Sequence, residues 1–197
     1  MSLYKVTTVN GHLLPEVVSA LQKCIRRGLV DDALYWAVDM YLTGYDEYCW
    51  KRLRIMASED VEPAEPRLPA TIAALYATCS DLKKKEDETH APQRLMLVHA
   101  IILLAQARKN LIVDHALIHH FGSHATLKRD IPDLVLDKHT AAKRRLSRGA
   151  EHFFAEGIKL ADESGDDPYR ELARQTLMAA HTVNSHATQG EARLFKL

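Results

Sequence analysis

Across residues 15–66 apolar side chains recur every three or four positions, and glycine or aspartate falls at each break, which predicts three consecutive amphipathic helices. The first starts at Pro15, whose missing N–H suits a first helical position, turns Val17, Val18, Leu21, Cys24 and Ile25 inward, and stops at Gly28. The second is capped by Asp31 or Asp32, buries Ala33, Leu34, Ala37, Met40 and Tyr41, and stops at Gly44. The third runs from Asp46 with Cys49, Trp50, Leu53, Met56 and Ala57 inward, and ends in an acidic turn before Pro63, Pro66 and Pro69. Ahead of these lies a short lead with a turn at Asn10-Gly11.

The same period continues. A fourth helix over 69–82 buries Ile72, Leu75, Tyr76 and Cys79, and the polar run 83–92 reads as an exposed loop. A fifth, over 93–107, is apolar round most of its circumference, so it is expected at the centre of the fold or in a subunit contact. Asn110 is expected to cap a sixth, which Gly122 ends. Then the pattern breaks: 122–136 reads as a long ordered loop holding Pro132. Asp137 can cap a helix with His139, Thr140 and Leu146, and another from Gly149 would bury Phe153, Phe154, Ile158, Leu160 and Ala161. Asp167-Pro168 opens a last helix with Leu172, Leu177 and Ala180. The chain is expected to be all-α: a lead over 1–14, one helical domain over 15–182 and a flexible tail over 183–197.

Composition narrows the function classes. Lys+Arg 26 balances Asp+Glu 26, so no net field drives the chain onto nucleic acid or an anionic membrane, and any such contact must be local. The cysteines, Cys24, Cys49 and Cys79, stand at apolar helical positions and read as reduced core thiols of a cytoplasmic protein. No signal-peptide core and no membrane-length apolar run is present, so no membrane partner is expected.

Motifs of strong chemical meaning are missing: there is no G-x-x-x-x-G-K-[ST], G-x-S-x-G, H-E-x-x-H or C-x-x-C. No catalytic residue, cofactor or metal is therefore assigned. Among the 11 histidines, His115 and His119 are one turn apart and give a weak alternative metal pair, against a polar helix end. His139, Thr140, His152 and Glu156 form a candidate polar cluster, read either as hydrogen bonds between late helices or as metal ligands. The one concentrated basic stretch supplies Lys138, Lys143, Arg144, Arg145 and Arg148 as candidate phosphate contacts, against a solvated helix face. Glu59, Asp60, Glu62 and Glu65 make an acidic corner expected to pair with Arg52, Arg54 or Arg67, or else to bind a cation.

The segments SALQKCIR (19–26), DDALYWAVDM (31–40) and RLRIMASEDV (52–61) followed by Pro66, with a weaker match through LVHAIILLAQARKN (97–110), resemble the C-terminal region of the RarA/MgsA family of replication-associated AAA+ ATPases. The resemblance implies an all-helical module like the collar at the C-terminus of DNA polymerase III clamp-loader subunits. It also implies a homo-oligomer, with a tetramer favoured, acting with DNA, replication proteins or a separate AAA+ subunit. The ATPase motor motifs are not in this sequence, so no ATPase residue carries over, and LDKHTAAKRRLSRGAEHFFAEG (136–157) departs from the family pattern. The expected role is non-enzymatic. The alternative is a small metal-dependent hydrolase or nucleotide-handling enzyme using His139, His152, Glu156 and His115.

Overall fold

A computed structural model of the chain describes residues 6–61, 63–83, 91–136, 150–163 and 165–184. They belong to two compact units, Met1–Leu127 and Lys128–Leu197. Among the described residues the architecture is all-α, with one isolated bridge, Thr7 to Leu13.

Among its described residues the first unit holds six α-helices: α1 Leu14–Arg27, α2 Val30–Leu42, α3 Asp46–Met56, α4 Leu68–Lys83, α5 Gln93–Gln106 and α6 Ile112–Ser123. Two glycines make the turns between the first three. Gly28, at φ 73°, lets its N–H reach the Ile25 carbonyl (3.1 Å) while Leu29 N–H reaches that of Cys24 (2.9 Å). Gly44, at φ 83°, repeats the arrangement, with Tyr45 N–H on the Met40 carbonyl (2.9 Å). Both are left-handed helix ends that a side chain would strain. The aspartate cap expected for α2 is not formed: Leu29 holds the cap position without a side-chain bond, and Asp31 and Asp32 are exposed in the first turn. There they still favour the positive end of the helix dipole.

The lead folds back at the expected turn. Thr8 N–H donates to His12 O (2.8 Å) and Leu14 N–H to Val6 O (2.9 Å) across Gly11. Asn10 Nδ2 then donates to the buried Asp39 Oδ1 on α2 (2.9 Å), and Val9 N–H to Thr43 Oγ1 (3.1 Å), so the loop is fastened to α2.

The core is the one the periodicity predicts. Val17, Leu21 and Ile25 of α1, Ala33, Ala37 and Met40 of α2, and Cys49, Trp50, Leu53 and Met56 of α3 are buried with Ile72 and Cys79 of α4. Ala33 and Ala37 are small enough for α1 and α5 to approach α2 closely. Lys83, at the end of α4, pairs with Asp46 and with Glu47 (2.9 Å) in the first turn of α3. Partial burial pulls the Lys83 ammonium down, but the hydrogen bonds it donates to the two carboxylates, with their charges, outweigh that and its pKa is raised. Burial pushes the Cys49 thiol up to about 12, which keeps it protonated and unreactive.

Helix α5 packs against α1, α2, α3 and α4, so the most apolar helix is central within this unit. Its buried residues are Leu97, Ala100, Ile101, Leu104 and Ala105, whereas Leu95 is 65% exposed.

The second unit is described by itself. A 3₁₀ turn over Asp133–Val135 is followed by α7 (Ala150–His152), which passes into a π-helical turn over Phe153–Gly157, and by α8 (Arg170–Asn184). Phe153 and Phe154 meet edge to face at 5.5 Å and are half-buried. The predicted burial of Leu160 and Ala161 is corrected: the helix ends at Gly157 and both are exposed, Leu160 at 68%. The final helix starts at Arg170 rather than at Pro168, because Asp167 Oδ1 accepts from Tyr169 N–H (3.0 Å) and closes a turn first. The calls for 137–149 and 185–197 fall outside the described residues.

Two substitutions on α5 measure this arrangement. Ile101→Ala is expected to cost roughly 2–5 kcal/mol in urea unfolding, and Leu95→Ala within about 0.5 kcal/mol. Equal costs would contradict the placement of α5.

Candidate functional site

Helix α3 does not simply stop at the acidic turn. After Met56 the backbone takes a π-helical turn over Ala57–Val61, a wider winding that turns Ala57, Asp60 and Val61 inward. Asp60 is 0% exposed, and a carboxylate so placed needs a cation. Arg26, at the end of α1, supplies it: Nε donates to Asp60 Oδ1 at 2.7 Å and Nη2 to Glu59 Oε1 at 2.9 Å. Gln22 Nε2 donates to the same Glu59 oxygen (2.9 Å) and accepts on its own carbonyl oxygen from Arg52 Nη2 (2.7 Å). Burial raises the Asp60 pKa, and the Arg26 guanidinium opposes that rise without cancelling it.

The backbone of the same turn captures the next connection. Asp60 O accepts from Asn110 N–H (2.9 Å), and Asn110 Oδ1 accepts from Ile112 N–H (2.8 Å), so one asparagine joins the acidic turn to the start of α6. Asn110 is the expected cap; instead Leu111 holds the cap position without a side-chain bond, Asn110 serves the helix start from one residue earlier, and Gly122 lies inside α6 rather than ending it. Lys109 Nζ donates to the carbonyls of Leu104 (2.8 Å) and Ala105 (3.0 Å), closing the end of α5. Its partial burial lowers its pKa. Arg108 pairs with Glu65 at 3.0 Å. The acidic corner is therefore an ion-paired turn, with corrected partners. Arg26 and Arg108 take the roles expected of Arg52, Arg54 or Arg67, while Arg54 lies over the Tyr76 ring at 4.2 Å.

This junction aims α6 away from the core. The helix has no buried residue, and Ile112 (56%), Leu117 (55%), Ile118 (62%) and Phe121 (83%) are exposed. Between α6 and α3 lies an open groove of about 580 Å³, lined by Lys51, Arg54, Ile55, Ser58, Glu59, Val113, Asp114 and Leu117. Apolar floor and charged rim together suit a macromolecular contact. Sequence reading passed over this face because α6 carries ordinary helical apolar spacing. The available signal was that Ile112, Val113, Leu117, Ile118 and Phe121 are too widely distributed for one buried stripe.

The sequence-predicted site residues fare as follows. Lys138, His139, Thr140, Lys143, Arg144, Arg145 and Arg148 lie outside the described residues. His115 and His119 are exposed on α6, and His119 meets the ring of His120 at 4.9 Å. Among the described residues no group of three or more His, Cys, Asp or Glu could hold a metal ion. His152 and Glu156 are not hydrogen-bonded to each other: Glu156 pairs with Lys159 at 2.7 Å, which lowers its pKa, and His152 Nδ1 is buried without a partner.

A family model described as the C terminal of the MgsA AAA+ ATPase matches residues 29–168. The chain belongs to this family. It is 30% identical over 163 residues to Replication-associated recombination protein A of Haemophilus influenzae, a match covering 80% of this chain and 34% of that protein. The protein of the same name from Escherichia coli K12 is 28% identical over 162 residues, covering 79% and 34%. An uncharacterized AAA domain-containing protein of Mycobacterium tuberculosis is 32% identical over 162 residues, covering 81% and 32%. The chain thus spans about a third of the length of the curated relatives it matches. Of the segments that carried the resemblance, SALQKCIR supplies Gln22 and Arg26, RLRIMASEDV supplies Arg52, Glu59 and Asp60, and LVHAIILLAQARKN supplies Lys109 and Asn110. In this member of the family those segments converge on one junction.

Removing Arg26 leaves Asp60 buried without its cation. Arg26→Ala is expected to cost roughly 1–3 kcal/mol in urea unfolding, a value kept below that of a fully buried pair because Arg26 is partly exposed. The raised Asp60 pKa sets the sign with pH. Its contribution is present below the ordinary carboxylate value and is lost as pH rises through the folded value. Wild-type stability should accordingly gain on that of Asp60→Asn as pH is lowered from neutrality toward the ordinary carboxylate value of 3.8. A gap that moves the other way would contradict the burial of this carboxylate.

Proposed function

We propose that this chain is a non-enzymatic helical module that self-associates and serves DNA replication or recombination in the cytoplasm. The exposed α6, which has no buried residue, supports the reading most directly, because a helix with so much uncovered apolar surface is expected to be covered by protein in use. Membership of the MgsA C-terminal family, and relatives named for replication-associated recombination, supply the biological setting. A collar-like tetramer is the preferred assembly, and a separate AAA+ subunit is a natural partner for a module of this family. Among the described residues no helix is long and apolar enough to cross a membrane.

Sedimentation is the direct test. A species of twice the 22.2 kDa chain mass or more at micromolar concentration is expected, and a monomer alone throughout would contradict the proposal.

DNA contact is assigned to Lys138, Lys143, Arg144, Arg145 and Arg148, the densest run of cations in a chain of zero net charge. Replacing Arg144, Arg145 and Arg148 together by alanine should weaken binding to a DNA oligomer about tenfold or more and flatten its salt dependence by about three counterions. Wild-type protein that fails to bind at about 50 mM salt, where phosphate contacts are strongest, would remove DNA from the proposal.

A further inference from the structure

Helix α6 and the groove beside it combine a protrusion with a recess that matches it. Val113, Leu117 and Phe121 follow one another at one-turn intervals and share one face of α6. The first and second line the groove, while Phe121, at 83% exposure, extends past its end. Across the groove stands Ile55 of α3.

The rim carries charges of both signs without ion-pair partners. Lys51 lies on the α3 side and Asp114 on the α6 side, and neither forms a salt bridge within the described residues. A surface that offers an apolar ridge and an apolar recess, an unpaired anion and an unpaired cation, meets the condition for an isologous contact. What one copy presents, the other receives.

We propose that two copies of this chain meet through α6, each placing Leu117 and Phe121 in the other's groove and its Asp114 against the other's Lys51. The inference rests on the self-association proposed above and names the face that performs it. Because α6 has no buried residue, substitutions at its exposed positions are expected to leave the fold intact, which separates loss of association from loss of structure.

The test is sedimentation equilibrium of the full chain between about 1 and 100 μM, for wild type, Leu117→Glu, Lys51→Glu, Asp114→Lys and the double variant Lys51→Glu/Asp114→Lys. Leu117→Glu and each single reversal are expected to raise the dissociation constant about tenfold or more, and the double reversal to bring it back within about threefold of wild type. Urea midpoints measured well below the association range, where every form is monomeric, should match throughout. If wild type associates and the variants associate equally well, α6 is not the contact and self-association stands by another face. If wild type remains monomeric across the range, both the face and the association are overturned. Should Leu117→Glu lose helical content by circular dichroism, the charge-reversal set decides, since it leaves every apolar residue in place.

Discussion

A single carboxylate taken out of water governs how the first unit is put together. Asp60 is fully buried, and isolating an ionised carboxylate in that way is among the most expensive placements a fold can make. Arg26 offsets the cost from one side and brings the end of α1 to the end of α3. The backbone of the same residue holds Asn110, which starts α6. Three connections far apart in sequence are thereby fixed to one point. The π-helical turn over Ala57–Val61 is what presents both the carboxylate and its carbonyl there, since a regular α-turn would have wound the chain differently.

Helices α5 and α6 show how neighbouring segments of similar apolar content reach opposite ends. Both carry apolar residues round much of their circumference. α5 is surrounded by α1 to α4 and buries Leu97, Ile101 and Leu104, while α6 leaves the junction beside the π-helical turn and faces α3 across an open groove. Apolar surface that one helix hides inside the fold, the other holds out from it. That asymmetry gives the unit a packed core and an exposed apolar face.

Much of this could be read from residue order alone. Gly28 and Gly44 as helix stops and the inward set Cys49, Trp50, Leu53 and Met56 follow from local rules, because capping and periodicity act over one or two turns. The errors arose where the outcome depends on distant residues. Asp31 and Asp32 had the composition of caps, but Leu29 was already held by the left-handed turn at Gly28. Asp60 belongs to an acidic corner expected to pair with Arg52, Arg54 or Arg67, whereas its cation, Arg26, lies in another helix far off in sequence. Leu160 and Ala161 continued an apolar spacing beyond the π-helical turn that ends their helix. Family resemblance pointed to the residues of the junction without revealing that they touch.

Amide hydrogen exchange followed against protein concentration shows whether the junction holds α6 ready for another copy of the chain, as proposed. Protection in Ile112–Ser123 should rise as concentration is raised through the association range, while that of the central helix Gln93–Gln106 stays constant. Exchange in α6 that is identical at every concentration, in protein shown to associate, would contradict it.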